Sequence, residues 1–184
     1  VHFTGACGRA IGSLAAELKQ PPDGTISAMD ACQYAPMDQA LKRAGLEIST
    51  SYKACHIHKN TDAVVVGTSI TDDNVEIVTA RKRGIPVLNM AQFLSNHVLK
   101  NGKRIVVAGT NGKTTVTTML SWILTHAGLR PDFLFGGTSP HFAGSVQFRN
   151  SKWTVLEGDE YIASQNDLRP KFLYYNPDIT LLTN

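Results

Sequence analysis

The segment Gly109-Thr110-Asn111-Gly112-Lys113-Thr114-Thr115 restricts this chain more than any other feature. An apolar run, Ile105-Val106-Val107, precedes it, and a long helical pattern over 113–127 follows it, stopped by Gly128. A strand, a turn of small residues and a helix in that order form a phosphate cradle. Glycines let backbone N–H groups turn inward, and the start of the helix adds partial positive charge. Gly109, Thr110, Asn111, Gly112, Lys113, Thr114 and Thr115 are therefore candidates for binding a nucleoside triphosphate. Lys113 would reach the β and γ phosphates, and the Thr114 hydroxyl would ligate Mg²⁺. The full eight-position pattern wants glycine at 107, where this chain has Val107.

A bound Mg²⁺ needs further oxygen ligands. The strand predicted over 153–156 runs into Glu157-Gly158-Asp159-Glu160, and Glu157, first after that strand, is the candidate second ligand. The rest of the pattern alternates short β-branched runs with helices. Strands are expected over 1–4, 25–29, 63–66, 85–88, 104–108, 133–135, 146–148, 153–156 and 179–182. Helices are expected from the first glycine turn to about 19, over 37–44, from Asp72-Asp73 as cap and first turn to Gly84, and over 91–99. Such alternation predicts an α/β fold: a Rossmann-like parallel-sheet domain over 1–99, then an incomplete P-loop-type α/β ATPase domain over 100–184. The apolar strand at 179–182 would leave an open sheet edge.

A second glycine loop, Gly5-Ala6-Cys7-Gly8, follows the first strand, with Gly12 inside the helix after it. Its spacing is not the dinucleotide G-x-G-x-x-G, yet Asp30 ends the second strand where such folds carry a ribose-binding acid. An NAD-dependent oxidoreductase is thus one reading of the first domain. The net charge of +3 and scattered basic residues give no nucleic-acid signature, and Arg81-Lys82-Arg83 reads as a solvated helix face. With 42% hydrophobic and 18% charged residues the composition is that of a globular protein, and no run approaches the roughly 18 apolar residues of a membrane span. Cys7, Cys32 and Cys55 lack paired spacing and read as reduced cysteines of a cytoplasmic protein.

Two phosphate-binding loops in this order resemble the Mur ligases, cytoplasmic enzymes of peptidoglycan synthesis and recycling. The Gly109–Thr115 loop without its first glycine is similar to the family's ATP loop, and His2-Phe3-Thr4-Gly5 with Cys7-Gly8 resembles its UDP-diphosphate loop. Trp122-Ile123-Leu124 and Gly136-Gly137 also fall at family positions. Tyr34-Ala35-Pro36-Met37 and Glu157-Gly158-Asp159-Glu160-Tyr161, followed by Asp167, Arg169, Lys171 and Phe172, resemble the members that take a murein tripeptide.

The resemblance implies an ATP- and Mg²⁺-dependent ligase that joins L-Ala-γ-D-Glu-meso-diaminopimelate to UDP-N-acetylmuramate through an acyl phosphate. Lys113 and Glu157 would be its catalytic residues; Gly5, Ala6, Cys7, Gly8, Asp30, Ser69 and Asn74 would line its UDP-sugar site. The family has a third domain beyond these residues, so this chain alone is not expected to complete ligation. Ile162 stands where the subgroup carries an acid, Gln165-Asn166 replace a more aromatic pair, His141 replaces an asparagine, and Val75 a proline. The L-alanine-adding ligase is the alternative within the family, separable by feeding each acceptor. A non-catalytic nucleotide-binding module is the alternative outside it, and predicts no ATP turnover by the whole protein.

Overall fold

The computed structural model describes residues 1–19, 25–31, 35, 37–164 and 167–184. Cys32, Tyr34, Pro36, Gln165 and Asn166 lie outside the described residues. The chain forms two compact units, Val1–Met90 with Ser164–Asp167, and Ala91–Ala163 with Leu168–Asn184. The division thus falls at Met90/Ala91, ahead of the boundary expected near residue 100.

The first unit is built on β1 (His2–Thr4), β2 (Ser27–Met29), β3 (Ile48–Ser49), β4 (Val64–Val66) and β5 (Val87–Asn89), in the spatial order β3-β2-β1-β4-β5. Its strand pairs are parallel. The helices are α1 (Arg9–Lys19), α2 (Met37–Arg43) and α3 (Val75–Lys82). Val64, Val65 and Val66 are all buried, as a central parallel strand requires, and Val64 and Val66 pack with Ile57, Ile77 and Ala80. The chain runs from β1 outward to β2 and β3, then returns to place β4 on the other side of β1. The crevice outside the carboxyl ends of β1 and β4 is the switch point where doubly wound sheets bind ligands.

Two local expectations need correction. The cap of α3 is Asn74, whose side chain accepts from the Glu76 amide at 2.9 Å, not Asp72 or Asp73. Asp72 pairs instead with Arg81 at 2.8 Å on the surface, and Asp73 accepts from the Thr71 hydroxyl. The segment expected as one helix over 91–99 is a short α4 (Met90–Phe93) followed by a π-helical turn, Leu94–Val98. The Leu99 amide there reaches back to the Leu94 carbonyl at 2.8 Å.

The second unit centres on β6 (Lys103–Ala108), followed by α5 (Lys113–His126), β7 (Asp132–Leu134), β8 (Val146–Gln147) and β9 (Trp153–Gly158). Two short strands, β10 (Ile162–Ser164) and β11 (Asp167–Pro170), form a separate two-stranded sheet, and β12 (Ile179–Leu182) closes the series. The main sheet has the order β12-β6-β9-β7-β8, parallel but for the antiparallel β7–β8 pair. Phe133, Phe135 and Val155 form its core with Leu120, Leu124 and Phe142, the rings of Phe133 and Phe142 being 4.5 Å apart. Strand β12 lies at an edge with all four residues exposed. Among the described residues no helix is long and apolar enough to cross a membrane.

Candidate functional site

In the second unit β6 ends at Ala108 and the chain turns through Gly109 at φ 134° and Gly112 at φ 80° before α5 begins. Only glycine adopts such backbone freely. A Cβ at Gly109 would also lie 2.2 Å from the Thr183 hydroxyl, so the loop has no room for any other residue there. Val107, in the place of the pattern's first glycine, is fully buried within β6, paired with Glu157 on β9 and Leu181 on β12. A ladder position of that kind favours a β-branched side chain over glycine.

The Lys113 ammonium lies back across the loop, donating to the carbonyls of Gly109 at 2.7 Å and Thr110 at 3.2 Å. The Thr110 and Asn111 amides donate to the Asn184 carbonyl at 2.8 and 2.9 Å. The first amides of α5 lack intrahelical acceptors, as in any helix. Thr110, Asn111, Gly112 and Thr115 are exposed.

The β6–β9 register carries Glu157 to this loop. Glu157 is not the first residue after the strand but lies within β9, because the ladder continues through Val107–Glu157 and Ala108–Gly158. The Thr114 hydroxyl is 2.9 and 3.0 Å from the two Glu157 carboxylate oxygens, and the Gly136 amide donates to Oε2 at 2.6 Å. Gly137 lets that loop come close, since a Cβ there would be 2.8 Å from the Thr114 methyl carbon. Thr114 and Glu157, the two expected metal ligands, are thus adjacent. A hydroxyl and a carboxylate are hard oxygen donors of the kind Mg²⁺ takes alongside phosphates and water, so the residues fit that ion.

Sequence reasoning missed two features here. Glu160 pairs with Lys113 at 2.8 Å; this hydrogen bond and charge push the lysine above its ordinary range and hold Glu160 below the usual carboxylate range. The acidic run was visible, and Glu157 within it, but not that Glu160 faces Lys113. A cavity of about 200 Å³ lies between α5 and the segment after Gly137, lined by Thr114, Thr115, Thr118, Met119, Thr138, Ser139, Pro140 and His141. Its residues come from two distant stretches; the sequence singled out Thr114, Thr115 and His141 but not Thr118, Met119, Thr138, Ser139 or Pro140.

In the first unit, Gly5, Ala6, Cys7 and Gly8 turn at the carboxyl end of β1, with Gly5 at φ 79°. Ser69 follows β4 beside them, where the Gly67 amide donates to the Thr4 carbonyl at 2.8 Å. Asp30, just past β2, accepts from the Cys7 amide at 2.6 Å and so braces the glycine loop. Gly12 allows α1 to approach: a Cβ there would meet the Ala6 carbonyl at 2.4 Å and the Met37 sulfur at 2.5 Å. The switch-point crevice therefore brings together Gly5, Ala6, Cys7, Gly8, Asp30 and Ser69, whereas the Asn74 side chain is spent capping α3.

A family model described as "Mur ligase family, catalytic domain" matches residues 1–101. The chain belongs to the Mur ligase family. This Mur ligase chain is 34% identical, over its whole length, to the UDP-N-acetylmuramate–L-alanyl-gamma-D-glutamyl-meso-2,6-diaminoheptandioate ligase of Escherichia coli K12. It is 38% identical to a UDP-N-acetylmuramate–L-alanine ligase of Symbiobacterium thermophilum. It spans about 40% of the former and 36% of the latter. Among solved structures it matches the UDP-N-acetylmuramate:L-alanyl-gamma-D-glutamyl-meso-diaminopimelate ligase of Neisseria meningitides with a TM-score of 0.85 and 32% identity. That match covers 99% of this chain and 60% of the other. A murein peptide ligase from Psychrobacter arcticus matches at 0.81 and 34%, over 100% of this chain and 43% of the other.

Proposed function

We propose that this chain is the substrate-and-nucleotide-binding part of a ligase that joins L-Ala-γ-D-Glu-meso-diaminopimelate to UDP-N-acetylmuramate at the expense of ATP. The first unit holds the UDP-sugar at its switch-point crevice, and the second holds ATP. The observation that carries this reading is the meeting of Lys113, Thr114 and Glu157 around one glycine loop. The tripeptide acceptor is supported by the relatives from Escherichia coli, Neisseria and Psychrobacter. L-alanine is the second reading, supported by the 38% identity to the Symbiobacterium enzyme.

In the reaction, a muramoyl carboxylate oxygen attacks the γ-phosphorus of ATP, the bond to the β,γ-bridging oxygen breaks, and ADP leaves. The acceptor amine then attacks the acyl carbon, phosphate departs, and the nitrogen loses a proton as the amide forms. Lys113 offsets charge on the transferring phosphoryl oxygens, and the amides at the start of α5 orient them. Mg²⁺ held by Thr114 and Glu157 would add Lewis-acid charge neutralisation at those oxygens. Gly136 keeps the Glu157 carboxylate aimed at that point through its amide.

Titrating UDP-N-acetylmuramate into this chain by calorimetry, with NADH as control, tests the first unit. Saturable binding of the UDP-sugar, weakened by Gly8→Trp, is the expected result; binding of NADH alone would overturn the reading. Feeding each acceptor to the whole protein with ATP separates the two ligases.

A further inference from the structure

The Lys113 ammonium has three N–H donors and three acceptors: the Gly109 carbonyl at 2.7 Å, the Thr110 carbonyl at 3.2 Å and Glu160 Oε2 at 2.8 Å. Its side chain is 13% exposed and that of Glu160 is 46% exposed. Two of the three acceptors are therefore backbone of the loop itself. The third sits on a side chain that is half exposed to solvent.

The Glu160 backbone, by contrast, is braced. The Asp159 amide donates to the Glu157 carbonyl at 3.2 Å, and Asp159 Oδ1 accepts from the Tyr161 amide at 2.9 Å. Asp159 Oδ2 takes Lys171 at 3.2 Å, while the Lys171 amide donates to the Tyr161 carbonyl at 3.1 Å. Neighbouring carboxylates thus divide the work: Asp159 ties down the turn, and Glu160 is presented to the loop lysine.

We infer that Glu160 is the resident counter-ion of the phosphate-loop lysine, a positioning residue that holds Lys113 over the loop and surrenders it to the phosphate oxygens of an incoming nucleotide. Nucleotide binding is then an exchange of one anion for another. The carboxylate keeps a cation of long, flexible stem pointed across the loop, and it opposes any anion that does not displace it. A phosphate chain carrying Mg²⁺ presents less negative charge to Glu160 than a bare one, so the opposition is greatest for nucleotide without the metal.

This inference rests on the second unit's loop being the ATP site. ATP affinity of this chain is measured by calorimetry in excess Mg²⁺ and again in EDTA, for the parent, Glu160→Gln, Glu160→Asp and Lys113→Ala. Glu160→Gln is expected to bind ATP about tenfold more tightly in EDTA and no more than about threefold more tightly in Mg²⁺. Glu160→Asp keeps the charge with a shorter reach and should fall between parent and Glu160→Gln. Melting temperatures should stay within a degree or two of the parent, since Glu160 is half exposed. If Glu160→Gln binds ATP no more tightly than the parent in EDTA while Lys113→Ala loses binding, the counter-ion role is overturned and the ATP site stands. If Lys113→Ala binds ATP as well as the parent, the ATP reading of the loop itself fails. Should Glu160→Gln not fold, Glu160→Asp carries the test: an affinity in EDTA equal to or below that of the parent overturns the role.

Discussion

At the scale of single residues the most consequential side chain outside the loops is Glu76. Its carboxylate is fully buried in the first unit, yet it accepts from Thr4 at 2.9 Å and meets His2 at 3.0 Å and His56 at 2.9 Å. His2 in turn reaches Ser27 at 2.7 Å. Burial alone would push the Glu76 carboxyl up, but the hydrogen bonds from His2, His56 and Thr4, with the charge of His2, hold it below its ordinary 4.5. A depressed carboxyl contributes stability that is complete above its unfolded value and is lost as pH falls through the folded one. The first unit should therefore lose stability below about pH 4.5, and Glu76→Gln should flatten that part of the stability–pH curve, as followed by urea denaturation. Removing the acceptor with Glu76→Ala strands buried donors and should cost about 3 kcal/mol at pH 7 in the same assay. None of this was legible beforehand. His2 and Thr4 lie 74 and 72 residues from Glu76, and a glutamate in the first turn of a helix reads as an ordinary surface acid.

Among the elements, α3 and α5 show how far local chemistry reaches. Asp72, Asp73 and Asn74 are all good cap formers, so composition could not choose among them. The choice falls on Asn74 because helical hydrogen bonding starts there: the Val78 amide donates to its carbonyl at 2.9 Å. Asn74→Ala should lower stability by about 1 kcal/mol, whereas Asp73→Ala should change it by less than about 0.5 kcal/mol; thermal or urea unfolding decides. The α5 start was legible because seven consecutive residues, a preceding strand and a following helix specify it locally. Thr114→Val keeps the shape of the side chain but removes the hydroxyl that would join Glu157 in holding the metal. It should weaken ATP binding at least tenfold in Mg²⁺ and by less than about threefold in EDTA, measured by calorimetry. Equal losses in both conditions would count against Thr114 as a metal ligand.

For the molecule as a whole, each unit has its own sheet and core, and each presents a glycine loop at the carboxyl end of a central strand. A ligand that binds only the folded form stabilises it by mass action, by about 2.7 kcal/mol at one hundred times its Kd. UDP-N-acetylmuramate and Mg²⁺-ATP should each raise the melting temperature of this chain, with Gly8→Trp abolishing the first effect and Lys113→Ala the second. A differential scanning measurement with each ligand alone checks both arms. What the amino-acid sequence determined by itself was what depends on neighbours along the chain: the alternating strands and helices, both glycine loops, and the pairing of a phosphate loop with a distant acidic run. The sequence also singled out Glu157, whereas tertiary structure alone decided what Glu160 and Glu76 face. Strand register sets Glu157 against Thr114, a braced turn presents Glu160 to Lys113, and helix docking buries Glu76 among residues more than fifty positions apart in the chain. Side chains such as these acquire their partners only when strands far apart in sequence come to lie side by side.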